Sequence, residues 1–74
     1  MEKLKTKDFR KNNYFTLYDD EDNFICYFDN FNELSKIINY NASDLVKSFN
    51  RYAIDNFINI IIDNRKYKLY TFVD

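Results

Sequence analysis

The residues of this chain that could do chemistry are its carboxylates, its serines and its single cysteine. The densest group is the acidic run Asp19-Asp20-Glu21-Asp22, whose oxygens are the kind of ligand that a divalent cation prefers. A calcium loop, however, places its ligands at alternate positions and turns sharply at a glycine, and the chain contains no glycine. We therefore interpret the run as a solvated loop and expect neither a metal nor a cofactor.

The same inventory argues against catalysis. There is no histidine to shuttle protons near neutral pH, and no glycine-rich loop to hold a phosphate. Neither the serines nor Cys26 has an obvious base partner that would activate it as a nucleophile. We predict that the protein is not an enzyme, has no small-molecule substrate and acts by binding another macromolecule.

The composition indicates the cellular compartment and the kind of organism that we expect. A lone Cys26 cannot form an internal disulfide, and the sequence has neither a long apolar run nor an apolar N-terminal stretch, so we expect a cytoplasmic protein without membrane contact. The chain is rich in Asn, Ile, Lys, Tyr and Phe, residues with AT-rich codons, which is typical of a low-GC bacterium or its phage. The net charge of −1 gives no overall attraction to nucleic acid.

Four strands are predicted from runs of aromatic and β-branched residues at 14–18, 24–28, 57–62 and 67–72. Asp-rich and Asn-rich segments separate the members of each pair, and these residues tolerate the positive φ that turns need when glycine is absent. The strands are therefore expected to form two antiparallel hairpins.

Two helices are predicted between the hairpins, at about 31–39 and 42–53. Asn30 with Glu33, and Asn41 with Asp44, have the spacing of N-terminal capping pairs. Apolar residues then recur at helical spacing, in the sets Phe31, Leu34, Ile37, Ile38 and Ala42, Leu45, Phe49, Tyr52, Ala53.

The predicted fold class is thus α+β, with antiparallel hairpins, a helical hairpin on one face of the sheet and the element order ββ-αα-ββ. The chain is expected to form a single domain over 1–74, with its folded core at 13–74. Residues 1–12 have no hydrophobic period, so we expect either a flexible basic arm or a short capping element there. Its basic residues are Lys3, Lys5, Lys7, Arg10 and Lys11.

Residues 33–51 resemble the helix-turn-helix of bacterial repressors such as the lactose-repressor family. In that motif a small residue sits inside the first helix and a turn residue accepts positive φ, positions taken here by Ser35 and Asn39. A capping residue, a buried aliphatic, a basic residue and a second core position follow, which here are Asn41, Leu45, Lys47 and Phe49.

The longer stretch 14–51 is similar to the modular DNA-binding domains appended to homing endonucleases, since Tyr18-Asp19, Asn23, Ile25 and Phe28 match their hairpin lead-in. Both resemblances imply that the second helix enters the major groove of duplex DNA. They imply base contacts from Ser43, Lys47 and Asn50, and phosphate contacts from Lys36 and Arg51.

Two alternatives remain open. The helix pair would equally serve to cover a sheet, and Val46, expected to be exposed beside Tyr40, would suit a protein partner. The partner would then be a host protein complex, and the chain a phage-encoded inhibitor of a host system, of the anti-CRISPR or another anti-defence type. Alternatively, Tyr14, Tyr18 and Tyr67 on a shared sheet face would form a stacking platform for single-stranded nucleic acid. The oligomeric state is left open.

Overall fold

The computed structural model describes residues 5–52 and 56–73 and shows an α+β fold, with a four-stranded antiparallel sheet and three helices in the described residues. The order is αββααββ, so the predicted ββ-αα-ββ order lacks a first helix. In chain order the elements are α1 (Thr6–Asn12), β1 (Asn13–Asp19), β2 (Phe24–Phe28), α2 (Phe31–Ser35), α3 (Ala42–Tyr52), β3 (Phe57–Ile62) and β4 (Arg65–Val73).

The sheet joins the two hairpins side by side in the strand order β2-β1-β4-β3. Its centre is the antiparallel pairing of β1 with β4, which runs without interruption from Asn13 opposite Val73 to Asp19 opposite Tyr67. The predicted bounds of β2 and β3 are confirmed, and β1 and β4 extend beyond their predicted runs. A register shift between Leu17 and Tyr18 interrupts the pairing of β1 with β2.

Asparagine and aspartate form the turns, as the absence of glycine requires. Asp63 and Asn64 have φ values of 50° and 66° and directly connect the paired residues Ile62 and Arg65. Two successive residues with positive φ define a type I′ turn, whose twist matches that of the flanking strands. The β3–β4 hairpin is therefore closed by its shortest favourable loop.

All three helices contribute to a core on one face of the sheet. The strands supply Phe15, Leu17, Phe28, Ile58, Ile60 and Leu69, and the helices and the segment between α2 and α3 supply Phe9, Phe31, Leu34, Ile38, Ala42, Leu45, Val46 and Phe49. Two polar residues, Asn13 and Thr71, are also buried, and Asn13 Nδ2 donates a hydrogen bond to Thr71 Oγ1 at 2.7 Å. This bond satisfies both side chains, which would otherwise be costly to bury.

Helix α1 corrects the expectation of a flexible arm for residues 6–12. It is anchored by Phe9, which is fully buried and whose ring lies 5.2 Å from that of Phe15 and 6.0 Å from those of Phe31 and Phe49. Asp8 in its first turn and basic residues in its last turn suit the helix dipole. Residues 1–4 of the predicted arm lie outside the described residues.

The structure also differs from the predicted helical hairpin. Both predicted caps are confirmed, since Asn30 Oδ1 accepts from the Glu33 N–H and Asn41 Oδ1 from the Asp44 N–H, at 3.0 and 2.8 Å. Helix α2 nevertheless ends at Ser35 rather than at 39, and Ile37, expected on its apolar stripe, is 52% exposed.

The two helices do not pack as a helix-turn-helix pair. Each makes more contact with α1 than with the other, and Asn39 does not adopt the positive φ expected of the turn residue. The reason is that the chain leaves the helix after Ser35 to bring Ile38 into the core and Tyr40 to strand β3. Helix α3 begins at Ala42 as predicted, and its expected end at Ala53 lies outside the described residues.

Candidate functional site: the helical surface and the aromatic face

The predicted nucleic-acid-binding residues are all exposed on the helical side of the molecule. Ser43, Lys47 and Asn50 are spaced by four and three residues along α3, which places them on one side of the helix. Arg51 lies beside that stripe, and Lys36 follows the end of α2. We call these five residues together with Arg10 and Lys11 of α1 the helical surface.

The local geometry keeps the stripe of α3 outward. Leu45 and Phe49 occupy the opposite side of the helix and are buried together with Val46, so the helix packs on the core along one side. Lys36 forms an exposed ion pair with Glu33 at 3.3 Å, and the Arg10 guanidinium lies 5.6 Å from the centre of the Phe31 ring. Both cations are therefore at the surface of the protein.

Charge divides between the helical segments and the sheet. Residues 5–12 and 31–52 carry seven basic and three acidic side chains, a formal charge of +4. Residues 13–30 and 56–73 carry three basic and six acidic side chains, a formal charge of −3. The net charge of −1 for the whole chain thus conceals a basic layer of helices on an acidic sheet.

Val46 contradicts one expectation. It is 6% exposed and belongs to the core, so it does not form the exposed apolar contact beside Tyr40 that was expected to favour a protein partner. Tyr40 is half-buried, and its hydroxyl accepts a hydrogen bond from the backbone N–H of Ile61 at 3.0 Å. Its role is to cap the edge of the sheet at strand β3.

The side of the sheet opposite the helices carries a second distinctive surface. Strand register places seven rings there, which we call the aromatic face: Tyr14, Tyr18, Phe24, Tyr27, Phe57, Tyr70 and Phe72. The rings contact one another, for example Tyr14 with Phe72 at 5.2 Å and Tyr18 with Tyr70 at 5.3 Å between centroids. Phe24 and Tyr27 remain 57% and 50% exposed.

The aromatic face partly matches the predicted tyrosine platform. Tyr14 and Tyr18 lie on it, but Tyr67 does not, because it packs against the core on the other side of the sheet. Tyr70 lies between them in its place. An open depression of about 400 Å³ on this face is lined by Thr16, Tyr18, Asp22, Lys68, Tyr70 and Phe72.

The acidic run uses its carboxylates within the protein. Asp19 Oδ1 accepts from the backbone N–H groups of Glu21 and Asn23, both at 2.9 Å, and Oδ2 accepts from Asn23 Nδ2. The hydrogen bonds from Asn23 lower the pKa of Asp19 below its usual value. Asp22 pairs with Lys68, which raises the lysine's pKa. The hydrogen bonds of Asp19 and the ion pair of Asp22 therefore stabilise the conformation of the loop.

Cys26 is half-buried, packs against the core and donates from Sγ to the Tyr27 carbonyl at 3.5 Å. No group of three or more potential metal ligands occurs in the part of the chain that the structure describes. None of the helices within 5–52 and 56–73 combines the length and the apolar character needed to cross a membrane.

Comparisons with known proteins give no relative for this chain: no family model matches it, and no curated protein or solved structure does so.

Sequence reasoning missed two parts of these surfaces. The contribution of α1 was hidden because Phe9 is the only apolar residue in Thr6–Asn12, and one residue gives no period. The full aromatic face was hidden because β1 and β4 carry apolar or aromatic residues on both sides. The signal that could have found it is the pairing of β1 with β4, which aligns Tyr14 with Phe72 and Thr16 with Tyr70.

Proposed function

We propose that the protein is a small, non-enzymatic DNA-binding module with a regulatory role, which contacts duplex DNA through the helical surface. One observation carries this proposal. Ser43, Lys47 and Asn50 form an exposed stripe on a helix whose other side is fixed in the core, within a layer of formal charge +4.

The dimensions of α3 suit a major groove. Its eleven residues span about 16 Å, and a helix with its side chains is about 10–12 Å across, close to the groove's width of about 12 Å. Asn50 offers an amide that can pair with an adenine edge, and Lys47 a donor for guanine. These two side chains would contact bases, and Ser43 would contact a base or a phosphate at the start of the helix.

Phosphate contacts would come from the sides of α3. Arg51 and Lys36 lie on the same side of the molecule, and α1 packs against α3 and brings Arg10 and Lys11. The binding mode differs from that of the repressors, because α1 rather than α2 is the main neighbour of α3. Helix α3 would bind in the major groove, and α1 would contact the phosphate backbone of the DNA.

The proposal is tested by fluorescence anisotropy with a mixed-sequence duplex over a salt series, since phosphate contacts do not require the target sequence. We expect Lys47→Ala, Arg51→Ala to weaken binding and to reduce the slope of log K against log salt by about 1.8, or about 0.9 per lost contact. The matched control is Arg65→Glu, which changes the charge of the β3–β4 hairpin by the same two units.

Arg65→Glu should leave the salt slope unchanged. Equal losses in Arg65→Glu and in the double variant would mean that only net charge matters, and the assignment to the helical surface would be wrong. Salt-insensitive capture of a host protein, together with no duplex affinity near physiological salt, would replace DNA binding with inhibition of a host protein. Circular dichroism of each variant establishes that it is folded.

A further inference from the structure

The aromatic face has no role in the proposed DNA contact, yet it carries three of the six large exposed hydrophobic side chains found among the described residues. It lies on the opposite side of the sheet from the helices, and its exposed residues include Phe24, Tyr27 and Ile61, at 57%, 50% and 52%. Neighbouring rings contact each other at centroid distances of 5.1–6.3 Å, so the face is a preformed layer rather than a set of separate side chains.

Strand register arranges this side of the sheet in four rows. The first row is Tyr14 and Phe72, and the second is Tyr27, Thr16, Tyr70 and Phe57. The third row is Phe24, Tyr18, Lys68 and Asn59, and the fourth is Lys66 and Ile61. Rings therefore dominate one end of the strands and lysines the other, with the small residue Thr16 near the centre.

The area of this surface is that of one side of a stable protein interface. A fully exposed aromatic side chain presents about 150–250 Å², so seven partly exposed rings leave roughly 400 Å² of ring surface. The other residues of the four rows extend the surface to roughly 700 Å², close to the area of about 800 Å² that each partner contributes to a standard interface. Two such surfaces would bury about 1,400 Å², within the standard range for specific complexes.

The four rows are also complementary to themselves. A two-fold axis lying in the interface, perpendicular to the strands and between the second and third rows, places the second row of one copy on the third row of the other. Tyr18 then faces Thr16 and its depression, Lys68 faces Tyr70, and Phe24 faces Tyr27. The same axis sets Lys66 against Phe72.

These pairings place a ring on a small residue, two lysines on rings, and one ring on another ring. Lys68 already lies 5.6 Å from the centre of the Phe57 ring within one chain, at the distance where cation–π attraction operates. Two-fold dimers are the commonest symmetric assemblies, and each contact of such an interface occurs twice. We propose that a second copy of this chain covers the aromatic face, forming a two-fold dimer in which the sheets pack face to face.

The charges beside the face disfavour a nucleic-acid occupant. Lys68 is paired with Asp22, whose carboxylate borders the depression on this face. A single strand stacking on the rings would find Lys68 already neutralised, and its phosphates would be repelled by Asp22. A second copy instead brings lysines to the rings.

Analytical ultracentrifugation over a dilution series tests the dimer. We expect the wild-type protein to reach twice its 9.1 kDa chain mass as its concentration rises. Tyr70→Lys, at the centre of the face, should weaken dimerisation at least about thirtyfold, the effect of removing a residue at the centre of an interface. Thr16→Lys is the second variant, because it fills the depression while leaving every ring in place.

The matched control is Ile37→Lys, which introduces the same lysine at an exposed apolar residue on the helical side and should dimerise like the wild type. A wild-type protein that stays monomeric throughout the series would overturn the dimer, and so would a folded Thr16→Lys variant that dimerises normally. A single-stranded oligonucleotide that binds the wild type but not the folded Tyr70→Lys variant would overturn it too, because the rings would then bind bases. None of these three results depends on duplex binding by the helical surface.

Discussion

Replacing Phe9 by alanine tests whether α1 is part of the core. Phe9 is fully buried, and its ring contacts one ring of the sheet and two of the other helices. Truncating a buried phenylalanine to alanine costs about 3–5 kcal/mol. At about 0.05–0.15 kcal/mol per residue, a domain of this size has only about 4–11 kcal/mol of stability in total. We therefore expect Phe9→Ala to lose between about a quarter and all of its free energy of unfolding.

Urea denaturation followed by circular dichroism measures this loss, and Phe9→Leu provides a graded variant. Leucine keeps most of the buried volume but loses the ring contacts, so we expect a cost of about 1–2 kcal/mol and a folded protein. Lys11→Ala is the control, since it changes an exposed residue of the same helix and should alter stability by less than about 0.5 kcal/mol. The reasoning is refuted if Phe9→Ala is as stable as Lys11→Ala, because α1 would then not be docked.

Two further predictions concern the turns. Asn64→Gly should raise the free energy of unfolding by about 0.5–1 kcal/mol in urea titrations, because glycine has no side-chain penalty at the positive φ of this type I′ turn; Asn64→Ala should lower it, and the opposite order would contradict the turn assignment. The hydrogen bonds that lower the pKa of Asp19 in the folded protein stabilise the fold at pH values above the unfolded pKa of 3.8. This stabilisation is lost as pH falls through the folded pKa. Asp19→Asn should therefore be less stable than the wild type at neutral pH and show a smaller loss of stability on acidification, and equal acid slopes would argue against the loop hydrogen bonds.

The secondary structure that was predictable came from local signals. The strands β2 and β3 are short runs of β-branched and aromatic residues ended by Asp and Asn, and these bounds were confirmed. Helix α3 was predictable because Asn41 caps it and Ala42, Leu45 and Phe49, which are buried, follow at helical spacing. The outward positions of Ser43, Lys47 and Asn50 follow from that spacing alone.

The remaining features depend on contacts distant in sequence. The length of α2 is decided by Ile38, which reaches the core, and by Tyr40, which reaches β3, neither of which shows in a local pattern. Tyr67 and Tyr70 are equally suited to a strand, and only the register with β1 and β3 assigns one to the core and the other to the aromatic face. Local patterns therefore predicted the elements better than their arrangement.

The hydrogen bond from the Ile61 N–H to the Tyr40 hydroxyl has a consequence for how sheets of different molecules could join. Strands β2 and β3 are the two edge strands of the sheet, and exposed edge strands are where strands of other molecules can pair. Addition at β3 would first have to break this bond, whereas addition at β2 would not. When only β2 is open to addition, the pairing of edge strands between molecules stops at two molecules. The tyrosine bonded to β3 therefore opposes the continued strand addition that builds fibrils.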